Sequence, residues 1–139
     1  MLMLASASKA RRRLLEMAGI PFKSMVSGFL EEDIHQDNPQ DLVQRLANAK
    51  AEEANKKLMS KNNSSLREGV KMVLGCDSLF EFQGEIFGKP KDKNEAIARL
   101  SRLSGKNGTL HTGHSLIKYD LIDKNSNYKA KTIRIEKLV

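Results

Sequence analysis

The chain has 139 residues, about the length of one domain, and its 40% hydrophobic and 29% charged residues describe a folded chain, not a disordered one. Its 24 Lys+Arg against 17 Asp+Glu leave a formal net charge of +7. A single cysteine, Cys76, excludes an internal disulfide, and no apolar run approaches the roughly 20 residues of a membrane span.

Residues 1–5 read as a short buried strand. The apolar start is too short for a secretory signal, and its charges follow it where a signal's would precede it. Ser8 or Ser6 can cap a helix from about Lys9 to Ala18, which Gly19 stops. Leu14, Leu15 and Ala18 share one face of that helix, leaving Arg12 and Arg13 largely on others. Ile20 to Val26 forms a second strand, interrupted by Pro21, and an acidic loop follows.

Asn38-Pro39 marks a helix start, Asn as cap and Pro at the first helical position. This helix runs to about Met59 with Val43, Leu46, Ala47, Ala54 and Leu58 as its apolar stripe. Lys50 falls on the same stripe. Either its ammonium snorkels to solvent or it is aimed at an anion. Ser60 to Ser65 is a polar loop. Val70 to Gly75 is an apolar strand ending at Cys76-Asp77, and Leu79 to Phe82 is a further strand. Gln83-Gly84 turns the chain into Glu85 to Phe87. Asp92 to Leu103 is a helix with Ala96, Leu100 and Leu103 inward, ended by Ser104-Gly105. Thr109 to Ile122 is a long strand, Asp123 to Asn127 a turn and Tyr128 to Leu138 a returning strand. This order gives an α/β (α+β) class, a single domain over residues 1–139, with a mixed sheet.

The charges are unevenly placed. Lys9, Arg11, Arg12, Arg13 and Lys23 dominate residues 1–25, whereas Glu31, Glu32, Asp33, Asp37 and Asp41 form an acidic stretch. That arrangement suits a site holding a polyanion with a divalent cation. It equally suits two unrelated solvated surfaces, the commoner case. The acidic stretch and an aromatic content of 5% weaken a nucleic-acid reading.

Four short segments could carry chemistry. Ser6 to Arg13 places hydroxyls and guanidiniums at a helix amino terminus, where free N–H groups favour anions. It lacks the glycines of a Walker loop, and a capping serine before a basic surface helix explains it as well. Gly75-Cys76-Asp77-Ser78 ends a strand where ligands of α/β sheets gather, so Asp77 is a candidate metal ligand or general base. A turn-forming aspartate is an equal reading. Glu31-Glu32-Asp33 could hold a Mg²⁺-type cation or be a solvated loop. Gly88-Lys89-Pro90 holds a lysine on a rigid turn, or simply ends a strand. His35, His111 and His114 show no zinc spacing with Cys76, and Cys76 at an apolar strand end is a weak nucleophile candidate.

Their order is more specific than any one of them. Leu4-Ala5-Ser6-Ala7-Ser8 with Arg11-Arg12, Val26-Ser27 with Glu31, Arg45-Leu46-Ala47 with Lys50-Ala51, Gly75-Cys76-Asp77-Ser78, Gly88-Lys89-Pro90, Leu103-Ser104-Gly105 and Thr112-Gly113 together resemble the Maf family. These are nucleoside triphosphate pyrophosphatases, also called septum formation inhibitor proteins. The resemblance implies a mixed twisted sheet with flanking helices, like that of inosine triphosphate pyrophosphatases. It implies hydrolysis of nucleoside triphosphates to monophosphate and pyrophosphate with a divalent cation, Mg or Mn, and the removal of non-standard nucleotides. Ser8 and Arg11 or Arg12 would grip the triphosphate, Lys50 and Lys89 would neutralise phosphate charge, Glu31 would help hold the metal, and Asp77 would be general base or metal ligand. The family's Ser-Pro-Arg-Arg is here Ser8-Lys9-Ala10-Arg11. That puts Ala10 at a base-discriminating position, with Ser78 at a second one, and leaves the base open. Family members continue past the strand that ends at Val139, so the resemblance implies a fold incomplete at its carboxyl terminus, with exposed apolar surface and either poor stability or self-association, as in a homodimer. The expected partner is a nucleoside triphosphate, with no specific nucleic acid and no membrane, in the cytoplasm. The alternative is a weakly active or inactive relative that binds a nucleotide or a partner without turnover.

Overall fold

The computed structural model describes residues 1–29, 38–121 and 128–135. Among these, six strands form one mixed sheet, β1 (Leu2–Ala5), β2 (Phe22–Met25), β3 (Met72–Phe82), β4 (Glu85–Phe87), β5 (Thr109–Leu121) and β6 (Tyr128–Ile135). The order is β2-β1-β3-β5-β6, with β4 on the far end of β3. β1 lies parallel to both β2 and β3, while β3, β5 and β6 are antiparallel to one another in turn. The α/β class and the mixed sheet are as expected.

β1 is a continuous apolar run because all four of its residues are buried. The strand expected over residues 20–26 is shorter. Pro21 uses only its carbonyl, which accepts from Leu2 N at 3.3 Å, and β2 begins at Phe22. The two strands expected over residues 70–82 are one, because β5 pairs with β3 from Met72↔Lys118 to Glu81↔Thr109 and carries it through Asp77. Gln83 and Gly84, both at positive φ, make the tight turn into β4.

The helices are α1 (Lys9–Met17), α2 (Pro39–Met59), α3 (Ser64–Arg67) and α4 (Lys93–Leu103). α2 starts as expected, with the Asn38 side chain accepting from the N–H groups of Gln40 and Asp41. Asp41 in its first turn and Lys56 and Lys57 in its last suit the helix dipole. Val43, Leu46, Ala47, Ala51, Ala54 and Leu58 are buried against the sheet. Ala51, Ala54 and Leu58 meet Met3, Ala5, Val73, Ile117 and Tyr119 in the core. A fully buried side chain such as Leu58 contributes about 1.5–3 kcal/mol. Burial also pushes the Tyr119 phenol up to about 12.

Two glycines let α2 come this close. A side chain at Gly75 would run into the backbone of Ala47 and Ala51, and one at Gly113 into Val43 and Gln44. The polar segment after α2, expected as a loop, holds a 3₁₀ turn (Lys61–Asn63) and α3.

α1 and α4 depart from expectation. Neither has a buried residue. Leu14 is 65% exposed and Leu100 66%. Amphipathic spacing marks which side of a helix is apolar, but burial also needs a surface opposite. Ala96, Leu100 and Leu103 instead line one wall of an apolar groove of about 310 Å³, with Phe80, Phe82 and Phe87 on the other. The turn Asp123–Asn127 and the residues after Ile135 lie outside the described residues.

Candidate active site

The register of the sheet leaves a notch. β1 ends opposite Gly75 (Ala5↔Gly75), and β4 ends opposite Phe80 (Phe80↔Phe87). Between them Cys76 to Leu79 of β3 have no strand beside them on that edge, among the described residues. The chain leaves β1 through Ser6-Ala7-Ser8 on one side of the notch. It leaves β4 through Gly88-Lys89-Pro90 on the other. The notch is the floor of a cavity of about 620 Å³ lined by Ser6, Ser8, Arg11, Ser27, Lys50, Asp77, Ser78, Phe80, Phe87, Lys89 and neighbours.

Each polar group arrives there for a local reason. Ser8 caps α1, its Oγ accepting from Arg11 N at 3.4 Å, while Ser6 Oγ accepts from Ser8 N at 3.2 Å. Ala7, Ser8 and Arg11 at the start of α1 line the cavity. Arg11 crosses back to the notch. Its Nη1 donates to Ser6 Oγ at 3.2 Å and to the Cys76 carbonyl at 3.1 Å, and its Nη2 donates to Ser78 Oγ at 3.1 Å. The guanidinium thus satisfies a carbonyl that a neighbouring strand would otherwise bind.

Lys50 comes from the buried stripe of α2, and its ammonium stands 3.3 Å from Asp77 Oδ1. Both side chains are largely buried, at 16% and 12% exposure. Asp77 Oδ1 also accepts from Ser78 N at 2.9 Å. Oδ2 is buried and has no partner among the described residues. A buried carboxylate oxygen left open in a cavity suits a water, a proton or a hard cation. Cys76 is no rival: burial raises its thiol pKa, outweighing the nearby Arg11 charge.

The structure therefore brings together Ser8, Arg11, Lys50, Asp77, Ser78 and Lys89, six of the residues singled out from the sequence. Arg12 is not among them. Its Nη2 donates to the Ala7 carbonyl at 3.0 Å, and it does not line the cavity. Ala10 is exposed on α1 and likewise does not line it. Glu31, with Glu32 and Asp33, lies outside the described residues. No group of three or more His, Cys, Asp or Glu that could hold a metal occurs among the described residues. A Mg²⁺-type cation needs only one or two protein carboxylates beside phosphate oxygens, so Asp77 alone fits that requirement in part. Sequence reading missed Phe80, Phe87 and the hydroxyl of Thr112, which stands 3.0 Å from that of Ser78. The Thr112-Gly113 pair was the available signal for the last.

Cations, hydroxyls and one carboxylate meet at the carboxyl edge of the parallel strands of an α/β protein, the edge where ligands of such sheets gather. The comparison with known proteins is narrower. The model of the family described as Maf-like protein matches residues 1–138, and the chain belongs to that family. It is 56% identical over 117 residues to a nucleoside triphosphate pyrophosphatase of Synechococcus sp. (strain CC9311), covering 84% of this chain and 58% of the relative. It is 49% identical over 120 residues to one of Prochlorococcus marinus (strain NATL2A), covering 86% and 56%. It is 51% identical over 117 residues to one of Synechococcus sp. (strain WH7803), covering 84% and 58%. The chain thus spans less than three-fifths of the length of these relatives. No helix among the described residues is long and apolar enough to cross a membrane.

Proposed function

We propose that this chain hydrolyses nucleoside triphosphates between the α and β phosphates, with a divalent cation, Mg²⁺ or Mn²⁺. The observation that carries the reading is the notch, which gathers Arg11, Lys50 and Lys89 around Asp77 with one carboxylate oxygen left open. The names of the relatives add to it. The triphosphate would lie along Ser8, the first turn of α1, Arg11, Lys50 and Lys89. These groups hold its oxygens in place and offset the charge that builds as the anhydride breaks. A water then attacks the α-phosphorus, Asp77 Oδ2 takes its proton, and the β-phosphate oxygen leaves with pyrophosphate. Asp77, with Glu31 as a second carboxylate, would hold the cation, which supplies Lewis-acid neutralisation of the phosphate oxygens. The role extends to clearing non-standard nucleotides from the cytoplasm, where a lone reduced thiol such as Cys76 is at home.

One observation favours a second reading, nucleotide binding without turnover. Lys50 already sits on Asp77 at 3.3 Å, so the carboxylate has a cation of the protein's own. Turnover assays separate the two. With Mg²⁺ or Mn²⁺ the protein should release pyrophosphate as first product, and Asp77→Asn should abolish that release. Orthophosphate as first product refutes the pyrophosphatase reading. Binding of a triphosphate with no product selects the second.

A further inference from the structure

Arg11 is half-buried and held. Among the described residues, three of its five N–H bonds have partners, Ser6 Oγ, the Cys76 carbonyl and Ser78 Oγ. One N–H on Nε and one on Nη2 remain for a ligand in the cavity that Arg11 lines. One of the three anchors, the Cys76 carbonyl, is fixed by the backbone of β3. The other two are hydroxyls on rotatable side chains; Ser6 Oγ is held by the N–H of Ser8 at 3.2 Å, and Ser78 Oγ needs a support of its own. Thr112 supplies it. It lies directly across from Ser78 on β5, its Oγ1 3.0 Å from Ser78 Oγ. Ser78 can accept from Arg11 and donate to Thr112 in the same rotamer, which locks that rotamer. Thr112 itself does not line the cavity.

We propose that Thr112 is a positioning residue that sets the orientation of Arg11 through the Ser78 hydroxyl, and so tunes how tightly the site holds a polyphosphate. The inference rests on the polyphosphate reading of the cavity. It also gives Ser78 a route to affect substrate choice without touching the base. A bland cross-strand Ser–Thr pair would stabilise the sheet and do nothing to the ligand. The two are separable.

The test uses Thr112→Val, which keeps shape and loses the hydroxyl, and Thr112→Ser, which keeps the hydroxyl. Inorganic tripolyphosphate is the ligand, and the Arg11 Nε–H resonance in ¹⁵N NMR is a second readout. Thr112→Val should weaken tripolyphosphate by about 3- to 10-fold, Thr112→Ser should restore it, and the Arg11 resonance should move only in Thr112→Val. In an Arg11→Gln background Thr112→Val should have no further effect. An equal loss with and without Arg11, or an unmoved Arg11 resonance, overturns the proposal. If the unaltered protein binds no tripolyphosphate, the polyphosphate reading fails and the resonance alone decides the positioning role. Thr112→Ala replaces Thr112→Val if the latter does not fold.

Discussion

The closeness of α2 to the sheet can be tested at Gly75. A methyl added there would run hardest into the Ala47 carbonyl oxygen, and would stand 2.7 Å from the Ala51 backbone nitrogen and 2.8 Å from its Cβ, whereas ordinary contact begins near 3.4 Å. Relief by moving α2 outward therefore needs a shift of roughly 1 Å or more. Lys50 sits on the next-door position of that helix, so the shift would carry its ammonium from 3.3 Å to roughly 4.3 Å from Asp77 Oδ1, beyond ion-pair range. Overpacking of this kind costs about 1–3 kcal/mol. For a chain of this size that is roughly 4–12 °C in thermal midpoint. Displacing a positioned group by about 1 Å costs rate more steeply, so pyrophosphate release should fall by about tenfold or more. Circular dichroism melts of Gly75→Ala measure the first effect, with Gly88→Ala as control, since nothing lies within 4 Å of a methyl there. A Gly75→Ala midpoint within about 1 °C of the parent would refute the argument, because it would mean α2 can withdraw freely.

Lys50→Met should be destabilising by about 3 kcal/mol, because it strands Asp77 as a buried charge; equilibrium urea unfolding measures it. A loss below about 1 kcal/mol would show that solvent in the cavity already screens the pair. The acid limb of stability should carry a signature of His114. Burial, and then the Arg11 charge, lower its pKa in the folded state from the ordinary 6.5. The unfolded chain then binds the extra proton first, so this residue's contribution is nil above 6.5 and increasingly unfavourable as pH falls from there toward the folded value. His114→Gln should flatten that part of the urea-midpoint profile relative to the parent, and an unchanged slope would remove His114 from the account.

What could be read in the sequence was local. Asn38-Pro39 and the stripe from Val43 to Leu58 specified α2 and its buried face, since cap and period both lie within a few residues. Lys50 was the sharpest signal of the site, because a charge placed on an inward stripe must find a partner or solvent. The partner is Asp77, 27 positions along the chain, and the structure pairs them. Failures came where a second element decides. Leu14 and Leu100 have helical spacing but no cover among the described residues, and no local pattern encodes cover. β3 runs unbroken through Asp77 because β5 pairs with it, an interaction some forty residues apart at its middle.

The same distinction explains why Arg11 and Arg12 could not be told apart in the sequence. They are neighbours of one type on one helix, and their difference is made entirely by what stands opposite. Arg11 finds Ser6, the Cys76 carbonyl and Ser78 at the edge of the notch, whereas Arg12 turns to the Ala7 carbonyl beside it. The notch exists because β1 stops at Ala5 while β3 continues, and because β4 rejoins β3 only at Phe80. A site made by unequal strand lengths exposes backbone that must be satisfied, and Arg11 satisfies the Cys76 carbonyl while lining the cavity. Arginine suits that double duty where lysine does not, since its planar fork can serve backbone on one edge and a ligand on another. Arg11→Lys should therefore be a poor substitute despite conserving charge, with the Cys76 and Ser78 acceptors no longer served together.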